Sequence, residues 1–331
     1  MDPLTHTATG VFLSRAGLNR LTPQATPILI LAANAPDIDI VTAAGGSLNY
    51  LHYHRHLTHA LVAMPVLAFL CVALVRAAGR RPVQWTGAFV AALAAVASHL
   101  LLDFTNVYGI RLLLPFSEAW LRLDWTPVID LFIWAALLLG FAGPFLSRLV
   151  TSEITSGKPR AQNHGRRFAW LALSFLFIYN CGRGLLHARA VETLDARVYD
   201  GAVPTRVAAG PEANPLLWRG LVETAEFYAV EDINLAGRFD PGSGQVFHKA
   251  SSEPALDRAR NTDPFRIFLG FSQFPLWEVI PATQPADSED VRLLDLRFGT
   301  PSEPGFMVSA VVDNRGQVLQ TGFQFGPPRP R

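Results

Sequence analysis

Four apolar runs dominate the first half of the chain, at about residues 57 to 78, 83 to 104, 127 to 149 and 166 to 188, each free of charge through its middle. A helix needs about 20 such residues to cross a bilayer, so each run predicts a membrane-spanning helix. Two shorter apolar stretches come first, about 4 to 18 and 21 to 35, joined at a polar turn around Arg15, Asn19 and Arg20. Length alone leaves open whether these span or re-enter. Past residue 190 the periodicity changes. Ala190 to Arg197 continues a helical pattern, and the runs Glu226–Val230, Gln245–His248, Val291–Phe298 and Phe306–Val312 alternate as half-buried strands do. Asp313-Asn-Arg-Gly predicts a hairpin turn into a last strand, Gln317 to Phe325, and Asp263 to Pro275 predicts a short helix ended by the proline. The tail from Gly326 onward, rich in proline and arginine, predicts disorder. The expected architecture is an α-helical polytopic membrane domain over residues 1–189, with four long and two short apolar helices. A small strand-rich α+β soluble domain follows over residues 190–331.

Composition agrees with that division. The 331 residues are 50% hydrophobic and only 17% charged, with a mean hydropathy of +0.23, where a soluble domain carries about a quarter charged residues. Glu118 and Glu153 are the only glutamates before residue 191. A formal net charge of +1 and a pI near 7.9 give no basic stripe with interleaved aromatics, so nucleic acid is not an expected partner. Cys71 and Cys181 both lie in apolar segments and read as small hydrophobic residues. The first residues lack a basic region followed by an apolar core, so no cleavable signal peptide is expected.

Arginine and lysine predict the orientation. Arg15 and Arg20, then Arg76, Arg80 and Arg81, then Arg148, Lys158, Arg160, Arg166 and Arg167 fall in loops on one side, which the positive-inside rule makes cytoplasmic. The soluble domain then lies outside the cytoplasm. So does every candidate ligand, although topology came from basic residues and the candidates are histidines and aspartates.

The candidates begin with His52-Tyr-His54-Arg55-His56-Leu-Thr-His59, set at the mouth of the first long run. If Leu57 opens a helix, His56 and His59 lie three apart on one face, with His54 just before it. Asp37 and Asp39 stand upstream in Pro-Asp-Ile-Asp, and His99 and Asp103 lie four apart on a helical face. Imidazole and carboxylate together suit zinc, manganese or iron. Helix capping and interfacial hydrogen bonding are the competing explanations for each.

Met-Asp2-Pro-Leu-Thr-His6 with Gly10, then Pro36-Asp37-Ile-Asp39, His54-Arg55-His-Leu-Thr58-His59 and His99-Leu-Leu-Leu-Asp103 with Tyr108-Gly109 resemble the membrane-bound metal-dependent hydrolases of the YdjM/YfhP type. The resemblance covers roughly residues 1 to 150. It implies a multi-pass protein of the bacterial inner membrane, with Asp2, His6, Asp37, Asp39, His54, His59, His99 and Asp103 as metal ligands and Asp130 as a less certain one. It requires no histidine at the positions of His52 and His56. The His-x-x-x-Asp element also looks like one in zinc-dependent phospholipase C and P1 nuclease enzymes, which implies phosphoester hydrolysis.

The expected chemistry is a metal-activated water. Two ions about 4 Å apart, bridged by Asp37 or Asp103, would clamp the attacking and leaving oxygens of a phosphoester. Asp37, Asp39 and Arg55 are the expected catalytic residues, with Arg55 and Arg111 offsetting developing negative charge. A membrane lipid or lipid-linked substrate fits such a position, and a protein partner for the soluble domain is left open. No Gly-x-Ser-x-Gly elbow supports a covalent nucleophile. Two alternatives of another class stand beside this reading: a metal- or ion-handling transporter, and a membrane adaptor with a structural metal site. Helix middles empty of charge offer the transporter no relay.

Overall fold

A computed structural model describes residues 1–79, 81–154, 164–251 and 253–326. Arg80, Lys158, Arg160 and the tail beyond Gly326 lie outside the described residues. The chain divides into two compact units. One comprises Met1–Asp39 with Arg55–Leu185, the other Ile40–His54 with Leu186–Arg331.

The first unit is helical. Helix α1 (Pro3–Ala16) starts where Asp2 accepts the amides of Leu4 and Thr5 with Pro3 in the first turn, and stops at Gly17, whose φ of 146° suits glycine. Helix α2 (Ala25–Asn34) is followed at once by a 3-10 stretch, Pro36–Gly45, and the pair bends by 45°. Helix α3 (Ser47–Tyr53) belongs to the second unit. The apolar run from residue 57 is not one helix. Leu57–His59 and Leu61–Ala63 are separate 3-10 turns, and helix α4 (Met64–Ala78) begins where Pro65, which has no amide hydrogen to donate, occupies its first turn. Then come α5 (Trp85–Thr105), α6 (Leu131–Ile154) and α7 (His164–Asp195). Helix α6 starts at Leu131 because Asp130 caps the amides of Phe132 and Ile133, at 2.9 and 3.1 Å.

Among the described residues, three helical segments are long and apolar enough to cross a membrane: Leu61–Ala78, Trp85–Thr105 and Gly165–Asp195. The bent pair Ala25–Asn34 and Pro36–Gly45 would make a fourth, and Leu131–Ser147 is a shorter apolar helix. Packing among them depends on small side chains. On α5 Ala88, Ala91, Ala92 and Ala95 recur at helical spacing and bury against Ile28, Leu29, Ala32 and Ala33 of α2. Helix α1 approaches α2 so closely that a Cβ on Gly10 would stand 2.8 Å from the Leu29 carbonyl oxygen. That close approach puts His6 of α1 and His99 of α5 on either side of one ring stack.

The second unit is strand-rich. Strands β1 (Arg206–Pro211), β2 (Leu217–Glu223), β3 (Phe227–Asn234) and β4 (Gln245–His248) form one antiparallel sheet in sequential order. Helices α8 (Pro254–Arg260) and α9 (Asp263–Phe271) precede β5 (Pro275–Pro281) and β6 (Glu289–Asp295). A small ladder of β7 (Gly299–Thr300) and β8 (Glu303–Pro304) leads to β9 (Phe306–Val312) and β10 (Val318–Phe325). The second four-stranded sheet runs β10-β9-β6-β5, antiparallel throughout. Leu221, Tyr228 and Val230 of the first sheet share a core with Leu276 and Leu294 of the second. The first sheet's other face covers Ala190 and Leu194 at the end of α7. Helix α3 packs against α9 and β10. Pro275 opens a strand here, as a residue that can begin one without donating.

Candidate metal centre

Four side chains of the first unit, Asp37, His59, His99 and Asp103, each turn one donor atom into a common space, all within 4.8 Å of one another. Asp37 comes from the 3-10 stretch after α2, His59 from its own 3-10 turn, and His99 and Asp103 from one face of α5. His59 Nε2 stands 3.5 Å from Asp37 Oδ1 and 3.4 Å from Asp103 Oδ2. His99 Nε2 stands 3.6 and 3.5 Å from the same two oxygens, and the two Nε2 atoms are 3.2 Å apart. Ligands about 2.0–2.2 Å from a tetrahedral zinc ion lie about 3.3–3.6 Å from each other. The donor spacing is that of a coordination shell.

The outer nitrogens decide what the inner ones present. His99 Nδ1 is 2.8 Å from the Ala33 carbonyl oxygen, which can only accept, so this nitrogen carries the hydrogen. His59 Nδ1 meets Asp39 Oδ2 at 3.2 Å and the Thr58 hydroxyl at 3.1 Å. With both rings neutral, each Nε2 would hold a lone pair. Two lone pairs 3.2 Å apart beside two carboxylate oxygens repel unless a positive charge lies among them, either the proton on His59 or a metal ion in its place. Asp103 Oδ2 is buried and makes no hydrogen bond within the described residues, with the two imidazole Nε2 atoms 3.4 and 3.5 Å away. Burial opposes charge on His59, yet the carboxylates of Asp103, Asp37 and Asp39 push its pKa up to about 10. These four residues could hold a metal ion.

The surrounding groups hold the donors in place. Asp103 Oδ1 accepts from Arg55 Nη2 at 3.1 Å and Asn106 Nδ2 at 3.3 Å and meets the Met1 amino group, which leaves Oδ2 for the centre. Arg55 donates Nη1 to Asn106 Oδ1 and to the Gly109 carbonyl oxygen, and its guanidinium lies over Tyr108. Its own amide donates to Asp39 Oδ2 at 2.8 Å, and Thr58 Oγ1 donates to that oxygen at 2.8 Å. Both ends of Arg55 are therefore engaged within the protein, which makes it a clamp on two carboxylates.

The other candidates fall around this ring. Asp39 sits behind His59. His6 stacks on His99 with ring centroids 3.8 Å apart, its Nε2 3.4 Å from Asp103 Oδ1. Asp2 caps α1 and accepts from Thr5 Oγ1 at 2.6 Å and Trp134 Nε1 at 3.0 Å. Asp130 accepts from Tyr179 Oη at 2.9 Å besides capping α6. His52 and His54 belong to the second unit, where His54 stacks on Tyr50. His56 precedes the turn that carries His59. Asp124 is bound by Arg122 at 2.8 Å, and Arg111 lies over Trp120. Asn106 takes part although no sequence motif marks it, and Thr58, part of the His54–His59 motif but not among the candidate ligands, takes part through Asp39. The Asn106 position, three residues past Asp103 at a helix end, was the available signal.

Exposure is uneven. The side chains of His59, His99 and Asp103 are 0% exposed and that of Asp37 is 19% exposed, so the ring opens at Asp37. Ile38, next to Asp37 in the chain, and Leu57 and Leu61, two residues either side of His59, are exposed apolar residues. A family model described as YdjM inner membrane protein matches residues 1–190. No curated protein and no solved structure matches the chain.

Proposed function

The chain belongs to the YdjM inner membrane protein family, and on that premise we propose that it is a multi-pass metal-dependent hydrolase with its second unit outside the cytoplasm. The observation that carries the reading is the pair of Nε2 atoms 3.2 Å apart, flanked by Asp37 and Asp103 oxygens. His59, His99, Asp103 and Asp37 would hold the ion, zinc being the first choice for two imidazoles and two carboxylates and manganese or iron the next. A bound divalent ion supplies a Lewis acid that brings water ionisation near neutral pH and polarises a phosphoryl oxygen.

The chain's own residues supply the rest. Asp37, the most exposed of the four, would help hold the ion and would take up the proton that the attacking water gives away. Asp39 holds the His59 ring through Nδ1 and adds negative charge to it, and the Ala33 carbonyl fixes His99 in the same way. Arg55 keeps Asp103 Oδ1 occupied, so that Asp103 offers a single oxygen inward. The exposed apolar residues that neighbour Asp37 and His59 in the chain favour a phosphoester whose remainder is lipid.

A structural metal is the second reading, favoured by the count of donors: four protein ligands close a tetrahedron, whereas catalytic zinc keeps a position open. Asp37→Asn separates the two. Metal content by elemental mass spectrometry and turnover of a lipid phosphoester would be measured on detergent-purified protein. The hydrolase reading expects a metal-loaded parent that turns over and a variant that keeps metal while losing turnover. No turnover in a metal-loaded parent across a phosphoester panel, with unfolding on chelation, would leave the structural reading in its place.

A further inference from the structure

Helix α1 ends far from the donor ring: Ala16 lies ten residues past His6, about 15 Å along the axis. There its carbonyl oxygen accepts from Arg166 Nε and from Trp170 Nε1, both at 3.1 Å. A cavity of about 680 Å³ opens at this point, lined by Arg166, Arg167, Trp170, Leu171 and Ser174. A second cavity, of about 980 Å³, runs between α6 and α7 past Phe132, Ala135, Leu139, Gly143 and Phe168. Leu171 and Ser174 line both, so the two abut. One end is cationic and aromatic. The other is hydrocarbon.

The division of chemistry identifies the occupant. Arg166 and Arg167 are exposed, and among the described residues neither forms an ion pair. Among the described residues Arg166 bonds through Nε to Ala16, which leaves its two Nη groups for an anion. Guanidinium groups bind phosphate in two-pronged fashion, and tryptophan favours the depth at which headgroups meet acyl chains. An apolar trough continuing from such a mouth, in a helix pair of a membrane protein, matches an acyl chain attached to that phosphate. We propose that the α6–α7 groove binds one anionic phospholipid, its headgroup on Arg166 and Arg167 and a chain along the trough. The site is separate from the donor ring and does not depend on the hydrolase reading.

Native mass spectrometry of the full chain in detergent, with added phosphatidylglycerol or phosphatidylcholine of identical chains, tests it. The parent is expected to retain phosphatidylglycerol about tenfold better, the worth of a charge-assisted contact. Arg167→Gln should bring retention close to the phosphatidylcholine level; it leaves the Arg166–Ala16 bond intact and so spares the fold. Ala135→Trp, filling the trough, should lower retention of both lipids. Arg76→Gln, in the last turn of α4 and outside the groove, should change neither. Equal retention of the two lipids by the parent would overturn the proposal. So would loss of phosphatidylglycerol to inorganic phosphate with no effect of Ala135→Trp, which would mark a free-anion site.

Discussion

Replacing Asp39 by asparagine separates an inner from an outer carboxylate at the donor ring. Asp39 Oδ2 gathers three groups: the Arg55 amide at 2.8 Å, the Thr58 hydroxyl at 2.8 Å and His59 Nδ1 at 3.2 Å. An asparagine carbonyl oxygen can accept from the same three, so the local fold survives. What disappears is the negative charge that strengthens His59 as a ligand. Outer partners of this kind are worth about 10- to 100-fold in metal affinity, or about 1.4–2.8 kcal/mol. The assay is competition for zinc against a chromophoric chelator in detergent, run beside His59→Ala. The expected result is a loss of one to two decades in Asp39→Asn and a far larger loss in His59→Ala. Unchanged affinity would refute the argument that Asp39 tunes His59. A loss equal to that of His59→Ala would place Asp39 on the ion itself.

Three further outcomes follow from the geometry. Metal binding displaces the proton that the carboxylates hold on His59, whose pKa is about 10, so affinity should rise about tenfold per pH unit from about pH 6 to pH 8. Calorimetry in buffers of different ionisation enthalpy should count the released proton. Glu231 is 1% exposed, and burial with Asp240, Asp232 and Asp200 nearby pushes its pKa up to about 7. Between its unfolded value and 7 the folded state holds the extra proton, so stability falls as pH rises through that window, by about 1–2 kcal/mol after solvent screening. Glu231→Gln should remove this slope, read by hydrogen exchange at β3 in the full chain. Gly10→Val would press a side chain onto the Leu29 carbonyl and Ala33, costing about 1–3 kcal/mol. It should also weaken metal retention, because Ala33 holds His99; unchanged retention in a destabilised variant would uncouple the two.

How much of this was legible beforehand depended on local periodicity. His99 and Asp103, four apart within a long apolar run, could be placed on one face because α5 is a regular helix. Asp37 and Asp39 could not be assigned distinct places, since their spacing reads differently in each backbone form. In the observed 3-10 stretch, with three residues per turn, positions two apart point different ways. Asp37 accordingly reaches His59 Nε2 while Asp39 reaches Nδ1. The crowding of His52, His54, His56 and His59 suggested a single cluster, but α3 carries the first of these into another unit. Strands β1 and β5 were unread for a simpler reason. Arg-Val-Ala-Ala-Gly-Pro offers little side chain to pattern, and β5 is bounded by prolines at both ends.

The segment Ile40–His54 leaves the first unit directly after Asp39 and returns to it at Arg55. The Arg55 amide bonded to Asp39 Oδ2 therefore closes the neck of a loop whose body is folded into the second unit. Closing such a neck costs chain entropy, and any ion that tightens Asp37 and His59 lowers that cost for everything the loop carries. The relation is reciprocal: whatever firms the seat of α3 on α9 and β10 must raise metal affinity by the same factor by which metal firms that seat. Metal loading should therefore slow hydrogen exchange in α3, far along the chain from His99. A helix with no ligand of its own would thus report, as a strain gauge does, on the state of the centre.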